Sequence, residues 1–317
     1  MRAIGVTGFG GPEVLQVVDV PEPVAGPGEL AIRVHAATVN PTDTVLRSGG
    51  RAARLKDVPP PYVPGMEAAG TLEHVGNGAG TDLGLGERVM AIVQPLGVHG
   101  AYAERVVVPA ESVVRSPAGS TDAQAATLPM NGLSARMALD ELALEPGQTL
   151  AVSGAAGAVG GYVLQLARAA GLRVVADATP ADEALVRALG ADAVVRRGGD
   201  FAAQVRDAVP AGVDGLVDTA LLDGPASAAV RDGGAMVTLR GYEGGDLSAA
   251  DHRGITFLPI YVRNYARQRA KLDALRAQAE AGVLTLRVGR IYPAEQAPEA
   301  HRVLEAGGTR GRLVLEF

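Results

Sequence analysis

Ser153-Gly154-Ala155-Ala156-Gly157-Ala158-Val159-Gly160-Gly161 is the stretch on which the reading of this chain turns. A β-prone run over 149–154 leads into it. Val159, Val163, Leu166 and Ala170 then recur at helical spacing. A strand, a small-residue turn and a helix in that order form the context in which a glycine pattern points to a dinucleotide. Without bulky side chains, the backbone N–H groups can approach a pyrophosphate. The positive end of the helix then stabilises the anion. Gly160 allows helix and strand to pack closely. Gly154, Ala155, Ala156, Gly157, Ala158, Val159 and Gly160 are therefore the candidate cofactor-binding turn. Ala155 stands where the usual fingerprint has Gly. No Lys-Ser or Lys-Thr follows, which excludes a nucleoside-triphosphate loop of the Walker type.

Working outward, helical and strand patterns alternate from 121 to about 239. Strands are predicted at 172–177, 193–195, 212–220 and 235–239, the last of the series, with helices at 182–190 and 201–209. This alternation predicts an α/β fold with a doubly wound parallel sheet. Residues 1–118 instead carry short β-prone runs at 15–20, 29–39, 69–75, 88–93 and 102–109. Pro and Gly clusters separate them, as in a barrel or sandwich. An amphipathic helix at 265–281 and β-prone segments around a helix near 298–307 end the chain. The expected division is 1–118 with 258–317 as one domain and 119–257 as the dinucleotide domain.

The second strand of such a sheet carries the residue that distinguishes NAD from NADP. An acid there binds the ribose 2′-OH and repels a 2′-phosphate. Asp177 lies 17 residues after Gly160, a little short of the usual spacing of about 20. Arg187 and Arg173 are the nearby basic residues. From the residues alone the choice stays open.

Composition narrows the field further. The 317 residues carry a formal net charge of −6 with scattered basic groups, which argues against a nucleic-acid face. No apolar run reaches transmembrane length and the N-terminus does not read as a signal peptide, so a cytoplasmic protein is expected. There is no cysteine. Disulfides, thiolate metal sites and cysteine nucleophiles are thereby excluded.

Further motifs lie along the whole chain. They are Gly10-Gly11-Pro12-Glu13-Val14-Leu15, Val39-Asn40-Pro41-Thr42-Asp43-Thr44 and Pro64-Gly65-Met66-Glu67-Ala68-Ala69-Gly70. Gly86-Glu87-Arg88-Val89, Gly100-Ala101-Tyr102-Ala103-Glu104 and Gly307-Gly308-Thr309-Arg310-Gly311-Arg312 complete the set. In this order the sequence resembles the medium-chain dehydrogenase/reductase superfamily, in its zinc-free quinone oxidoreductase branch. The resemblance implies a GroES-like β-barrel domain for the substrate, a Rossmann domain for the cofactor, and a homodimer. It implies NADPH as cofactor, with NADH not excluded. The NAD-selecting acid of zinc-containing relatives falls at Ala178, while the Lys common in NADP-binding relatives falls at Glu183. Asn40 stands where zinc-dependent relatives have a catalytic Cys, and Met66-Glu67 where they have His-Glu. No four-cysteine lobe follows Val93, so no metal is expected.

Without a metal to polarise a carbonyl, the resemblance implies acceptors that are already electrophilic, quinones or conjugated carbonyls. The small-molecule partner is thus a quinone or enone, with no nucleic acid and no membrane. Asn40 and Asp43 are expected to line the nicotinamide cleft, although Asn40-Pro41-Thr42-Asp43 also reads as a capped helix start. A Tyr frequent in relatives is Val45 here, and Tyr62 is the candidate substitute hydroxyl, although a Tyr in Pro59-Pro60-Pro61-Tyr62-Val63-Pro64-Gly65 also reads as a packed loop aromatic. Asn131, Ser134, Thr219 and Tyr242 are placed at the cofactor, and Arg312 at cofactor or substrate. Glu67, an acid in an apolar run, needs a buried partner, for which Arg88 is the candidate. The five histidines, His301 among them, read as structural. Enone or enal reduction, weakly catalytic cofactor binding and a specialised biosynthetic role are the competing readings.

Overall fold

The structure is a computed structural model that describes residues 1–239 and 253–317. Tyr242 and His252 therefore lie outside the described residues. Two compact units are present. The first comprises Met1–Met130, Ala266–Gly282 and Leu286–Phe317; the second comprises Asn131–Tyr265 and Val283–Thr285.

The first unit begins with an antiparallel pair, β1 (Arg2–Gly5) and β2 (Gln16–Asp19). Next come β3 (Glu29–Thr38), helices α1 (Pro41–Arg47) and α2 (Ala52–Leu55), then β4 (Glu67–Val75) and β5 (Arg88–Ile92). β6 (Arg105–Pro109), β7 (Val113–Arg115) and α3 (Asp122–Ala125) follow. β6 is shorter than the predicted 102–109 because Tyr102 spends its backbone elsewhere. Its carbonyl accepts from Ile4 and its N–H donates to Pro64. Asp122 on α3 bonds Arg88 and His35, which holds the 121–130 segment to the first unit instead of the second.

The second unit starts within α4 (Pro129–Leu142). Its six strands are β8 (Thr149–Ser153), β9 (Arg173–Ala178), β10 (Ala193–Arg196), β11 (Val213–Asp218), β12 (Val230–Leu239) and β13 (Thr256–Ile260). They form one parallel sheet in the order β10-β9-β8-β11-β12-β13. Helices α5 (Ala158–Ala169), α6 (Glu183–Leu189) and α7 (Phe201–Ala208) lie on the connections. The strands are apolar on both faces, as a sheet covered by helices on both sides demands: β8 and β9 are buried except at their first residues. The chain leaves β8 towards β9 and β10, then returns to place β11 on the other side. The switch point at which such sheets bind ligands is therefore beside the end of β8. The sheet does not end at 235–239. β13 pairs with β12 and extends the second unit past the expected boundary at 257.

α8 (Arg269–Glu280), β14 (Val288–Pro293), α9 (Ala297–Ala306) and β15 (Arg312–Glu316) complete the chain. β15 inserts beside β3, giving the seven-stranded sheet the path β14-β15-β3-β4-β5-β7 with β6 on β3. Leu30, Ile32, Leu72, Tyr102, Tyr292, Leu313 and Leu315 are buried in its core. Burying each such side chain contributes about 1.5–3 kcal/mol. Among the described residues no helix is long and apolar enough to cross a membrane.

Candidate functional site

Sheet order explains how distant residues meet in the first unit. β15, β3 and β4 are neighbours, so Arg312 at the start of β15, Thr38 at the end of β3 and Glu67 at the start of β4 converge. Arg312 Nη2 donates to Thr38 Oγ1 at 2.6 Å, Asn40 Oδ1 at 2.6 Å and Glu67 Oε1 at 2.7 Å. Thr38 Oγ1 also donates to Glu67 Oε1, and the Met130 N–H donates to Glu67 Oε2 at 2.7 Å. Glu67 is fully buried and Arg312 nearly so. The partner of Glu67 is thus Arg312, not Arg88. Strand register dictates this: Glu67 faces Ile92 across β4 and β5, whereas Arg88 faces Thr71. Arg88 turns outward to Asp122.

Asn40 and Asp43 form the entry to α1. Asp43 Oδ2 accepts from the Asn40 N–H at 2.8 Å, and Oδ1 accepts from the Gly65 N–H at 3.0 Å. The Tyr102 hydroxyl donates to Asp43 Oδ2 at 3.1 Å and lies 3.2 Å from His301 Nε2. Gly65 is required here. Its φ is +103°, and a Cβ would meet Tyr102 Cδ1 at 2.6 Å. Asp43, Tyr102 and His301 are all buried. Burial pushes the Asp43 carboxyl up to about 6, against the pull of the Asn40 and Gly65 N–H groups. Burial, with Asp43 adding to it, raises the Tyr102 phenol well above its ordinary range. Burial and then the Arg47 charge depress His301 to about 3, so its ring is neutral.

The second unit holds the glycine turn at the end of β8. Gly154 has φ +67°, and a Cβ there would meet Thr219 Oγ1 at 2.5 Å. At Gly160 a Cβ would meet the Gly154 carbonyl at 2.4 Å, the close helix–strand approach expected of that glycine. α5 begins after Gly157, which brings no side chain to cap it, and Ala158 and Val159 are only half-buried. An N-terminal turn that no side chain caps among the described residues suits an anion. Ala155 and Ala156 are buried beneath the turn. Thr219 Oγ1 donates to the Ser153 carbonyl at 2.6 Å, and Ser153 Oγ donates to Asp218 Oδ1 at 2.5 Å. These bonds fix the ends of β8 and β11 on either side of the switch point. The turn therefore suits a dinucleotide pyrophosphate.

With this geometry in place the comparisons are decisive. Residues 26–118 match the family model described as alcohol dehydrogenase GroES-like domain, and residues 189–315 match the one described as zinc-binding dehydrogenase. The quinone oxidoreductase of Homo sapiens is 30% identical, over 99% of this chain and 97% of its own. The chain belongs to the medium-chain dehydrogenase/reductase superfamily, in its zinc-free quinone oxidoreductase branch. Among solved structures, the quinone oxidoreductase of Coxiella burnetii has a TM-score of 0.88 at 27% identity, covering 100% of this chain and 99% of that one. A mycobacterial protein solved in complex with NADPH has a TM-score of 0.87 at 30% identity and covers 100% of both chains.

The dehydrogenase model's zinc does not suit this member of the superfamily. At the ligand positions the Asn40 amide oxygen is held by Arg312, and Met66 Sδ accepts from Thr42 Oγ1 at 2.9 Å. A carboxamide and a thioether replace the thiolate and imidazole that zinc requires. The guanidinium of Arg312 is the cation that balances Glu67 instead.

Other expected site residues fall in varied places. Asn40 and Asp43 are buried, with 0% and 1% of their surface exposed, and belong to the hydrogen-bonded scaffold at the entry to α1. Arg312, expected at cofactor or substrate, is spent inside this scaffold. Tyr62 Oη donates to the Val58 carbonyl at 2.9 Å, and its ring stacks on Phe9 at 5.4 Å, which makes it a packed loop aromatic. Asn131 and Ser134 are buried one turn apart on α4. Asp177 lies against the glycine turn, where Oδ1 accepts from the Ala155 N–H at 3.0 Å. The sequence did not show that Tyr102 and His301 meet at Asp43. The signal for Tyr102 was its place after Gly100-Ala101 within a β-rich segment. His301, 199 positions away, offered none.

Proposed function

We propose that this oxidoreductase reduces quinones with NADPH and without zinc. The observation that carries the reading is the replacement of the metal-ligand set by the Asn40–Arg312–Glu67 cluster. An enzyme lacking a Lewis acid at this position favours acceptors whose carbonyl carbons are already electron-poor. The names of its full-length relatives and the NADPH-bound structural neighbour support the same substrate and cofactor.

Bound NADPH supplies the hydride. Quinone, hydride and one proton together give the hydroquinone, with NADP⁺ as the other product. The backbone of 154–160 and the N-terminus of α5 hold the pyrophosphate, with Asn131, Ser134 and Thr219 as further cofactor contacts. The buried scaffold around Asn40, Asp43 and Glu67 fixes the backbone at 38–43 and 64–67. The energetic cost of ordering these loops is met on folding rather than on each turnover.

Oxidation of NADPH by purified protein should be rapid with a panel of quinones and unchanged by a chelator. Activity lost to chelation would refute the zinc-free reading. Turnover of enones without turnover of quinones would move the enzyme to the competing conjugated-carbonyl activity. Tight NADPH binding with no turnover on any acceptor would make it a binding protein.

We also infer a homodimer formed across β13. This strand pairs on one side only among the described residues, and Tyr261 beside it is exposed. An open edge of this kind invites pairing with a second copy. Light scattering is expected to give twice the chain mass of 32.3 kDa; a monomer mass at micromolar concentration would end this inference.

A further inference from the structure

The end of β9 is where a nucleotide's ribose would be read, and the residues there are disposed in an uncommon way. Asp177, the expected ribose-binding acid, faces the glycine turn and accepts the Ala155 N–H with Oδ1. Its side chain is only 5% exposed. One of its oxygens is thus committed to bracing the pyrophosphate loop. The other lies 3.9 Å from Arg197 Nε, too far for a hydrogen bond.

Arg197 follows β10, which runs parallel to β9 with Val195 beside Asp177 and Arg196 beside Ala178. The Arg197 N–H donates to the Ala178 carbonyl at 2.9 Å, fixing its backbone at the C-terminal ends of the two strands. Its side chain is 46% exposed, and the loose contact with Asp177 is its one ion pair among the described residues. The guanidinium donors are therefore unspent.

Several other charged groups around β9 are already engaged, while Arg196, beside Ala178, is exposed and has no ion pair among the described residues. Arg187 is bound to Glu183 at 3.0 and 2.8 Å, Asp182 accepts from Thr179 Oγ1, and Asp192 accepts from the Val174 N–H. Arg173 starts β9 at the opposite end of the strand. Neither basic residue indicated by the sequence is free and at the right end of the strand.

We propose that Arg197 is the specificity-determining residue for the cofactor and receives its ribose 2′-phosphate, while Asp177, turned inward, braces the glycine turn. The inference rests on the NADPH reading and deepens it. A planar guanidinium can meet a phosphate with two parallel N–H donors, which a diol cannot match. The Asp177 carboxylate remains behind it as a counter-charge that orients the fork.

Calorimetric binding of 2′,5′-ADP, 5′-AMP, NADPH and NADH to wild type, R197A and R187A tests this without any turnover. R197A should weaken 2′,5′-ADP and NADPH by about tenfold or more, the worth of a charge-assisted bond. It should leave 5′-AMP and NADH within about twofold, and R187A should change neither pair. An equal loss for phosphorylated and unphosphorylated ligands, or no loss at all, overturns the role of Arg197 alone. If wild type itself binds NADH as tightly as NADPH, the cofactor reading and the Arg197 assignment fall together. Arg197 is on the surface, so unchanged thermal unfolding of R197A is expected and shows that the loss is local.

Discussion

R312M is expected to lose about 3–5 kcal/mol of folding stability, the cost of leaving a buried charge without its partner. Glu67 has no solvent to turn to, since none of its surface is exposed. The Thr38 hydroxyl and the Met130 N–H still reach its two oxygens, but neither carries a compensating charge. Asn40 Oδ1 loses its donor in the same stroke. The double variant E67Q/R312M removes both charges and should recover much of the loss, because a neutral amide can still use Thr38 and Met130. Urea midpoints of the two variants and wild type check this. A loss below about 1 kcal/mol in the single variant would mean that the Arg312–Glu67 pair does not behave as a buried ion pair, and the cluster would no longer count as a stabilising feature of the first unit. Recovery in the double variant separates the ion pair from a simple packing defect, which both variants would share.

What could be read from the sequence depended on whether the constraint was local. Gly154 and Gly160 are where a side chain would collide with Thr219 or with the Gly154 carbonyl, and backbone constraints of that kind leave glycine behind in a recognisable spacing. The βα alternation is likewise a local pattern, and the parallel sheet followed from it. β13 escaped notice because its five residues include Pro259 and show no alternation; its burial pattern is mixed. The first half of β12 was hidden by Asp232, Gly233 and Gly234, which read as a turn. Glu67 illustrates the other limit. That it needed a partner was evident from one acid among small apolar residues. That the partner was Arg312, 245 positions away, depended on β15 entering the sheet beside β3. Asp43 was legible as a helix cap, but its second neighbour was not, because Tyr102, in the segment before β6, and His301, on α9, are brought together only by packing.

That second neighbour gives the first unit an unusual acid response. Burial holds the Asp43 carboxyl up to about 6 in the native state, while an unfolded Asp titrates near 3.9, as a rough reference. Between these values the native chain binds a proton that the unfolded chain has released. Asp43 therefore contributes stability that is full below about pH 4 and is lost as pH rises to about 6. His301 acts in the opposite sense. The native ring stays neutral down to about 3, whereas the unfolded ring is protonated below roughly 6.5. Its contribution is present above that value and is lost as pH falls. Between about pH 4 and 6 the two proton uptakes nearly cancel, so acid should barely change the stability of wild type through this pair. D43N removes one side of the balance. Its stability deficit relative to wild type should be largest near pH 4 and shrink by about 1.4 kcal/mol per pH unit on the way to pH 6, then level off. Urea unfolding of both proteins at half-unit intervals measures this directly. A deficit that stays constant across the range would show that Asp43 titrates as an ordinary carboxylate, and that the Tyr102 and His301 contacts only fill space. Y102F offers a second view of the same balance: it keeps the ring in place but withdraws the hydroxyl donated to Asp43 Oδ2. The carboxylate then loses one of its stabilising donors, and the pH window of the Asp43 effect should extend upward rather than disappear.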